Sequence, residues 1–237
     1  MRSNTNKPVC VIVGVGPGNG EALARTFADA GHAVALLARR HAFCEALAAQ
    51  LPDARAFACE ATDAAAVERT FALIAEDMGD IATLVYNAGK GVWGTVDQVS
   101  QDDFEQAWRV NALGLFLAAR QVIPTMKSRG AGNIVVIGAT ASRRGVAGTA
   151  AFAPAKMAQR ALTESMARHL GPSGIHVSLL ILDGAVGGPE PRVRFRDRPD
   201  DAFIAPEAIA STALQLTLQD RSAWSFEVDL RPFNEKW

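Results

Sequence analysis

From Val9 to Leu230 the chain repeats one pattern, a short apolar run followed by apolar residues at helical spacing. Val9 to Val13, Ala33 to Ala38, Ala54 to Cys59, Ile81 to Tyr86, Asn133 to Ile137, Ile175 to Leu182 and Phe226 to Leu230 read as strands. Helical stripes separate them: Leu23, Phe27 and Ala30; Phe43 and Leu47; Val67, Phe71, Ile74 and Met78; then Ala155 to Leu170 and Pro206 to Leu218. Ser100 and Asp103 form a capping-box-like start for one long helix through Phe104, Trp108 and Leu115 towards Pro124. Strands with continuous apolar character, such as Ile81 to Tyr86, need cover on both faces.

Right-handed crossovers between such strands give an α/β fold: one Rossmann-like, doubly wound domain over residues 1–237, with a seven-stranded parallel sheet and helices on both faces. Nearly half of the 237 residues are hydrophobic, enough for a full core, and neither a repeat nor a linker-like stretch divides them. The net charge of −1 gives no electrostatic reason for a nucleic-acid or anionic-membrane partner. Residues Met1 to Pro8 are polar, and the apolar run behind them stops at Gly14, too short for a signal core or a membrane span. Cys10, Cys44 and Cys59 lack metal or redox spacing and read as buried apolar side chains in a reducing, cytoplasmic setting. His32, His41, His169 and His176 have no ligand spacing, so no metal is expected.

Ligands of doubly wound sheets collect beyond the carboxyl ends of the strands. The first such turn is Gly14-Val15-Gly16-Pro17-Gly18-Asn19-Gly20, between the first strand and the helix that opens at Glu21. Glycine lets phosphate approach the backbone, and the helix start offers unpaired N–H groups. A dinucleotide pyrophosphate suits this turn, although the spacing is G-x-x-x-G-x-G rather than G-x-G-x-x-G.

With this loop, four further motifs in register make the chain similar to the short-chain dehydrogenase/reductase family from Val9 to about Leu230. They are Glu60-Ala61-Thr62-Asp63 after the third strand, Asn87-Ala88-Gly89 after the fourth, Asn111 within Val110-Asn111-Ala112, and Lys156. The resemblance implies an oxidoreductase that uses a nicotinamide dinucleotide. It places Glu60 and Ala61 at the adenine and Lys156 at the nicotinamide ribose, while the small residues of Asn87, Ala88 and Gly89 either leave room for a flat ring or ribose or only stabilise the sheet, or do both. Asp183-Gly184 and Val186 occupy the segment after the sixth strand that meets the nicotinamide, and Gly188 replaces a threonine there. A loop aspartate such as Asp183 serves either as a replacement acid or only as a cap.

The end of the second strand decides between coenzymes. A carboxylate there would bind the ribose 2′-hydroxyl of NAD(H), but this chain has Ala38 followed by Arg39 and Arg40. Two guanidinium groups favour NADP(H), the alternative being a solvated basic helix start.

The catalytic positions depart from the family. Its tyrosine four residues before the lysine is Phe152 here, and its serine thirteen residues earlier is Ala139, with Thr140 the nearest substitute and Ser142 next. The chain has one tyrosine, Tyr86, ahead of the Asn87 turn. Two readings follow: an NADP(H)-dependent oxidoreductase in which Lys156 and Asn111 order another proton source, or a catalytically silent NADP(H)-binding protein that acts through partners. Arg192, Arg194, Arg196 and Arg198 fall where the family carries its substrate loop; if extended they share one side, suited to a small anionic substrate, and otherwise they are a solvated loop. The tail 231–237, with Phe233 and Trp237, is expected to pack on its own or a neighbouring subunit, and the family implies a homodimer or homotetramer.

Overall fold

The computed structural model describes residues 7–188 and 197–235. Its main sheet has seven parallel strands in the order β3-β2-β1-β4-β5-β6-β9. The members are β1 (Val9–Val13), β2 (Ala33–Ala38), β3 (Ala54–Ala58), β4 (Ile81–Tyr86), β5 (Gly132–Ile137), β6 (Ile175–Leu182) and β9 (Glu227–Leu230). A two-stranded ribbon, β7 (Ala185–Val186) with β8 (Phe203–Ile204), lies outside it and is absent from the sequence reading, because two residues are too few to carry a period.

Alternation along each strand divides the core into two layers. Val9, Val11 and Val13 of β1 pack with α3 (Ala64–Met78), α5 (Gly114–Arg129) and α6 (Phe152–Leu170) through Phe71, Leu115, Val122 and Leu170. Cys10 and Ile12 face the other way, towards α1 (Asn19–Asp29), α2 (His41–Ala48) and α7 (Pro206–Thr217) through Leu23, Phe27, Leu47 and Ile209. Side chains such as Phe27 and Ile74 are fully buried, each contributing about 1.5–3 kcal/mol. The three cysteines are buried and unpaired, as expected, and burial pushes the Cys10 thiol well up.

The order of the sheet reverses between β1 and β4, and there two turns interlock. Asn87 donates from its backbone N–H to the Val13 carbonyl at 2.9 Å and from Nδ2 to the Gly14 carbonyl at 2.7 Å. Gly14 has φ 93°, and a Cβ on it would lie 2.5 Å from the Ala88 backbone. The two loops beyond the strand ends are thereby fixed against each other.

The single long helix expected from Ser100 is corrected. Ser100 does cap α4 (Gln101–Trp108), its Oγ accepting from the Asp103 N–H at 3.1 Å. The helix then widens into a π-helical segment, Arg109–Leu113, before α5, which runs through Pro124 to Arg129. A contact from β4 meets it there: buried Tyr86 donates its hydroxyl to the Val110 carbonyl at 2.5 Å, and Gly114 lets the ring approach. Such single π-turns occur mostly inside α-helices and often at functional sites. The expected start of α6 at Ala155 is corrected to Phe152, one turn earlier.

His176, read as free of chemistry, is a core connector: its ring nitrogens lie 3.0 Å from the Leu216 carbonyl and 2.8 Å from that of Ser225, and it stacks on Trp224. In the tail, Pro232 is buried against Gly184, whereas Phe233 is 86% exposed and is not covered by its own chain. Trp237 and the arginines from Arg192 to Arg196 lie outside the described residues. No helix among the described residues is long and apolar enough to cross a membrane.

Candidate functional site

Two cavities open at the carboxyl ends of the strands and share Gly89. The first, about 740 Å³, runs from the glycine turn (Gly14, Gly16, Pro17) past Ala38, Arg39 and Arg40, then Glu60 and Ala61, to Asn87, Ala88 and Gly89. The second, about 430 Å³, has a mostly apolar wall that includes Trp93, Ala139, Thr140, Phe152, Lys156 and Val186. Such volumes are those of ordinary small-molecule sites. The residues selected from sequence thus gather at the same end of the sheet, although they come from every part of the chain.

The first cavity has the form a dinucleotide needs. Gly20 is tight, a Cβ there lying 2.7 Å from Val15 Cα, but a Cβ on Gly16 would meet nothing within 4 Å. Gly18, at φ 92°, precedes α1, and the buried Asn19 Oδ1 finds no hydrogen-bond partner among the described residues. Open space at Gly16, a left-handed Gly18 and the unpaired N–H groups of a helix start suit a diphosphate. Glu60 Oε1 accepts from the Thr62 N–H at 3.2 Å and the Thr62 hydroxyl at 3.0 Å, while Asp63 caps α3 through the Ala66 N–H. Arg39 Nε lies 3.9 Å from Glu60 Oε2 with its side chain 76% exposed, so its guanidinium is open to an anion.

Lys156 stands where the cavities meet. It is buried, and its Nζ donates to the Ile137 carbonyl at 2.9 Å and to Gln159 Oε1 at 2.9 Å. Gln159 in turn donates from Nε2 to the Asn111 carbonyl at 3.0 Å. Burial pushes the Lys156 amine down to about 7. Asn111 Nδ2 donates to the carbonyls of Ala107 and Lys90 at 2.8 and 3.0 Å, and its buried Oδ1 has no partner among the described residues. A Cβ on Gly89 would lie 3.3 Å from that oxygen, a tight approach, and 3.8 Å from Lys156 Nζ, so glycine at the cavity junction leaves Asn111 its space. Gln159 was missed in the sequence. It lies one turn beyond Lys156 on the same helical face, which is the signal that points to it.

At the family's tyrosine position the Phe152 ring packs against Trp93, with centroids 5.3 Å apart. Ala139 lines the second cavity without a polar side-chain atom. Ser142 is buried, its hydroxyl accepting from the Ala139 N–H at 3.1 Å. Thr140 does line the cavity, but its hydroxyl donates to Asp183 Oδ1 at 2.7 Å, so it offers an acceptor rather than a donor to a ligand there. Asp183 also meets Arg231 at 3.4 Å and Arg144 at 3.9 Å. Tyr86 is no substitute: its phenol is in the core and burial pushes its pKa upward. Gly184, at φ 158°, and Val186 close the second cavity beside Leu182.

The comparisons agree with this geometry. Over 224 residues the chain is 33% identical to the meso-2,3-butanediol dehydrogenase of Serratia marcescens, with 90% of this chain and 88% of the relative covered. It is 31% identical over 208 residues to the inactive 2-(S)-hydroxypropyl-CoM dehydrogenase 2 of Xanthobacter autotrophicus, covering 82% of this chain and 90% of that one. The crystal structure of a metagenomic short-chain oxidoreductase in complex with NADP superposes with a TM-score of 0.83 at 26% identity, covering 96% and 98% of the two chains. The profile described as short chain dehydrogenase matches residues 8–186, the stretch that carries the glycine turn, the Asn87 turn, Asn111 and Lys156. With the seven-stranded sheet and the paired cavities already in evidence, this chain belongs to the short-chain dehydrogenase family.

Proposed function

We propose that the protein is an NADP(H)-dependent oxidoreductase of one domain that interconverts a small carbonyl compound and its alcohol through a weakened proton-transfer site. The observation that carries this reading is the junction at Gly89, where a cleft suited to a dinucleotide meets an apolar cavity beside Lys156. When bound, the nicotinamide supplies or accepts hydride. The glycine turn would hold the diphosphate, Glu60 and Ala61 the adenine side, and Asn87, Gly89, Asp183 and Val186 the nicotinamide end, with Lys156 between it and the second cavity. Arg39 and Arg40 beside Ala38 support a 2′-phosphate rather than a bare ribose.

Phe152 and Ala139 leave the second cavity without the usual donors. Loss of a positioned acid costs about 10²–10⁴ in rate, so turnover is slow. Arg144, 59% exposed at the cavity, suits an anionic group on the substrate. Exposed Phe104 and Trp108 on α4, Phe116 on α5 and Met157 on α6 suit a face between copies in a homodimer or homotetramer, and the overall composition suits a cytoplasmic protein.

A second reading, a catalytically silent coenzyme-binding protein, is favoured by the same apolar pair, Phe152 and Ala139. A relative carrying the description inactive gives it further weight. The deciding experiment is titration of NADPH and NADH at several salt concentrations, followed by a screen of carbonyl substrates. Preferential NADPH binding with slow reduction supports the enzyme; binding without turnover supports the silent protein. Tighter binding of NADH than NADPH removes the coenzyme assignment.

A further inference from the structure

We infer that the ammonium group of Lys156 is itself the proton donor to the substrate oxygen, with Gln159 as the residue that positions it. This rests on the oxidoreductase reading above and deepens it by naming the group that fills the place left by Phe152.

Geometry comes first. Lys156 lines the second cavity next to Phe152, one turn further along α6, and its Nζ sits just behind Gly89 at the mouth of the first. An ammonium carries three N–H donors. The Ile137 carbonyl and Gln159 Oε1 take two of them, which leaves one for a ligand. Both partners are fixed: Ile137 ends a central strand, and Gln159, fully buried, is tied to the Asn111 carbonyl within the π-turn. The amide of Gln159 therefore bridges the amine and a backbone oxygen, where a more mobile group would let the amine wander.

Among the described residues the amine has no carboxylate partner. Arg109 on the π-turn, Asp102, Asp103 and Glu105 on α4, and Arg143 and Arg144 after the Thr140 turn are all exposed. On its own helix Arg160 pairs with Glu227 and Glu164, and on the Asn87 side Lys90 pairs with Asp103. Burial alone acts on the amine and brings it to about 7, where it gives up or regains a proton readily at neutral pH.

In reduction a bound reduced nicotinamide would supply the hydride, its own C–H bond breaking as the new one forms on the carbonyl carbon, so that the coenzyme is oxidised by two electrons and the carbonyl reduced. The carbonyl π pair becomes a lone pair on oxygen, which takes a proton as one Nζ–H bond of Lys156 breaks. The neutral amine then recovers a proton from bulk solvent, which supplies the one proton the net reduction consumes. Oxidation of the alcohol runs the same transfers backwards, so the two directions have opposite dependence on pH. Reduction needs the charged amine and falls as pH rises through about 7; oxidation needs the neutral amine and rises through the same value.

The test combines a direct titration with kinetics. The chain has five lysines, so NMR of ¹⁵N-lysine-labelled protein resolves the amine signals, and Lys156→Arg assigns the one of interest. The expected result is one amine titrating near neutrality and coincident limbs in the reduction and oxidation profiles. Gln159→Glu puts a carboxylate beside the amine and should raise its titration point by at least one pH unit, carrying both limbs with it. Gln159→Leu controls for a merely structural role: it should broaden or move the amine signal at unchanged NADPH affinity. An amine titrating at its ordinary value near 10.4 overturns the proposal. So does a Lys156→Gln variant that keeps turnover with the limb in place, or a Gln159→Glu variant in which the amine moves and the limb does not. Failure to bind NADPH overturns the coenzyme reading instead, and separates the two.

Discussion

The rings of Trp93 and Phe152 meet with centroids 5.3 Å apart at a tilt of 46°, forming an aromatic wall in the cavity that also holds Lys156. A tyrosine at 152 would keep this contact and add a hydroxyl, and a serine at 139 would add a second donor to the same cavity. The double variant Phe152→Tyr/Ala139→Ser is expected to raise kcat for carbonyl reduction by about 10²–10⁴. Steady-state rates with NADPH check it, and a double variant no faster than the natural protein contradicts the account of the cavity.

The glycine turn separates fold from ligand. Gly14→Ala puts a Cβ 2.5 Å from the Ala88 backbone at φ 93°, so an overpacking loss of about 1–3 kcal/mol is expected, seen as a lower Tm without coenzyme. Gly16→Ala meets nothing within 4 Å, so Tm should hold while NADPH binding weakens. Calorimetry of both variants, with and without NADPH, gives the comparison.

Arg39→Ala/Arg40→Ala should weaken NADPH while leaving NADH nearly unchanged. A charge-assisted hydrogen bond contributes about 1.5–3 kcal/mol, and the exposure of Arg39 reduces this, so a loss of about tenfold is expected. The variant should also flatten the salt dependence of binding, which titration calorimetry at two ionic strengths reads directly. Equal losses for both coenzymes would remove the 2′-phosphate assignment.

Stability should fall in acid through Glu227. Burial pushes its carboxyl up, but Arg160 at 2.6 Å and Arg143 at 2.6 Å outweigh it and hold the group below its ordinary value. A carboxylate depressed in the folded state contributes stability that is complete above the unfolded value of about 4.3 and is lost as pH falls through the folded value. Glu227→Gln should lower stability at neutral pH by about 1–3 kcal/mol and flatten the acid limb of a Tm profile.

The sheet was legible because apolar runs and helical stripes are long-range averages, which single substitutions barely disturb. The sites legible in the sequence were those where one residue type is forced by geometry: Gly14 against Ala88, and Asn87 bridging two strand ends. The π-turn was not. Its contact with β4, the Tyr86 hydroxyl on the Val110 carbonyl, joins residues far apart in the chain and leaves the apolar spacing of a continuous helix intact. Gln159 escaped for a similar reason, since a glutamine on a helix is ordinary until its face is known to be buried. The direction of the Thr140 hydroxyl, towards Asp183, likewise depends on a partner from another strand end.

The widened turn at Arg109–Leu113 gives the chain an unusual sensitivity to length. A π-turn holds one residue more than the α-helical turn it replaces. Shortening this stretch by a single residue would relax it into an α-helical turn that leaves α4 and α5 nearly in register, because the wide turn absorbs that one extra residue, and would shift only the positions inside it. Asn111 would leave its carbonyl partners and Gln159 its anchor, although every helix and strand still formed. Single-residue deletions here should therefore yield folded proteins with a dismantled cavity junction, whereas substitutions on the solvent face should pass almost unnoticed.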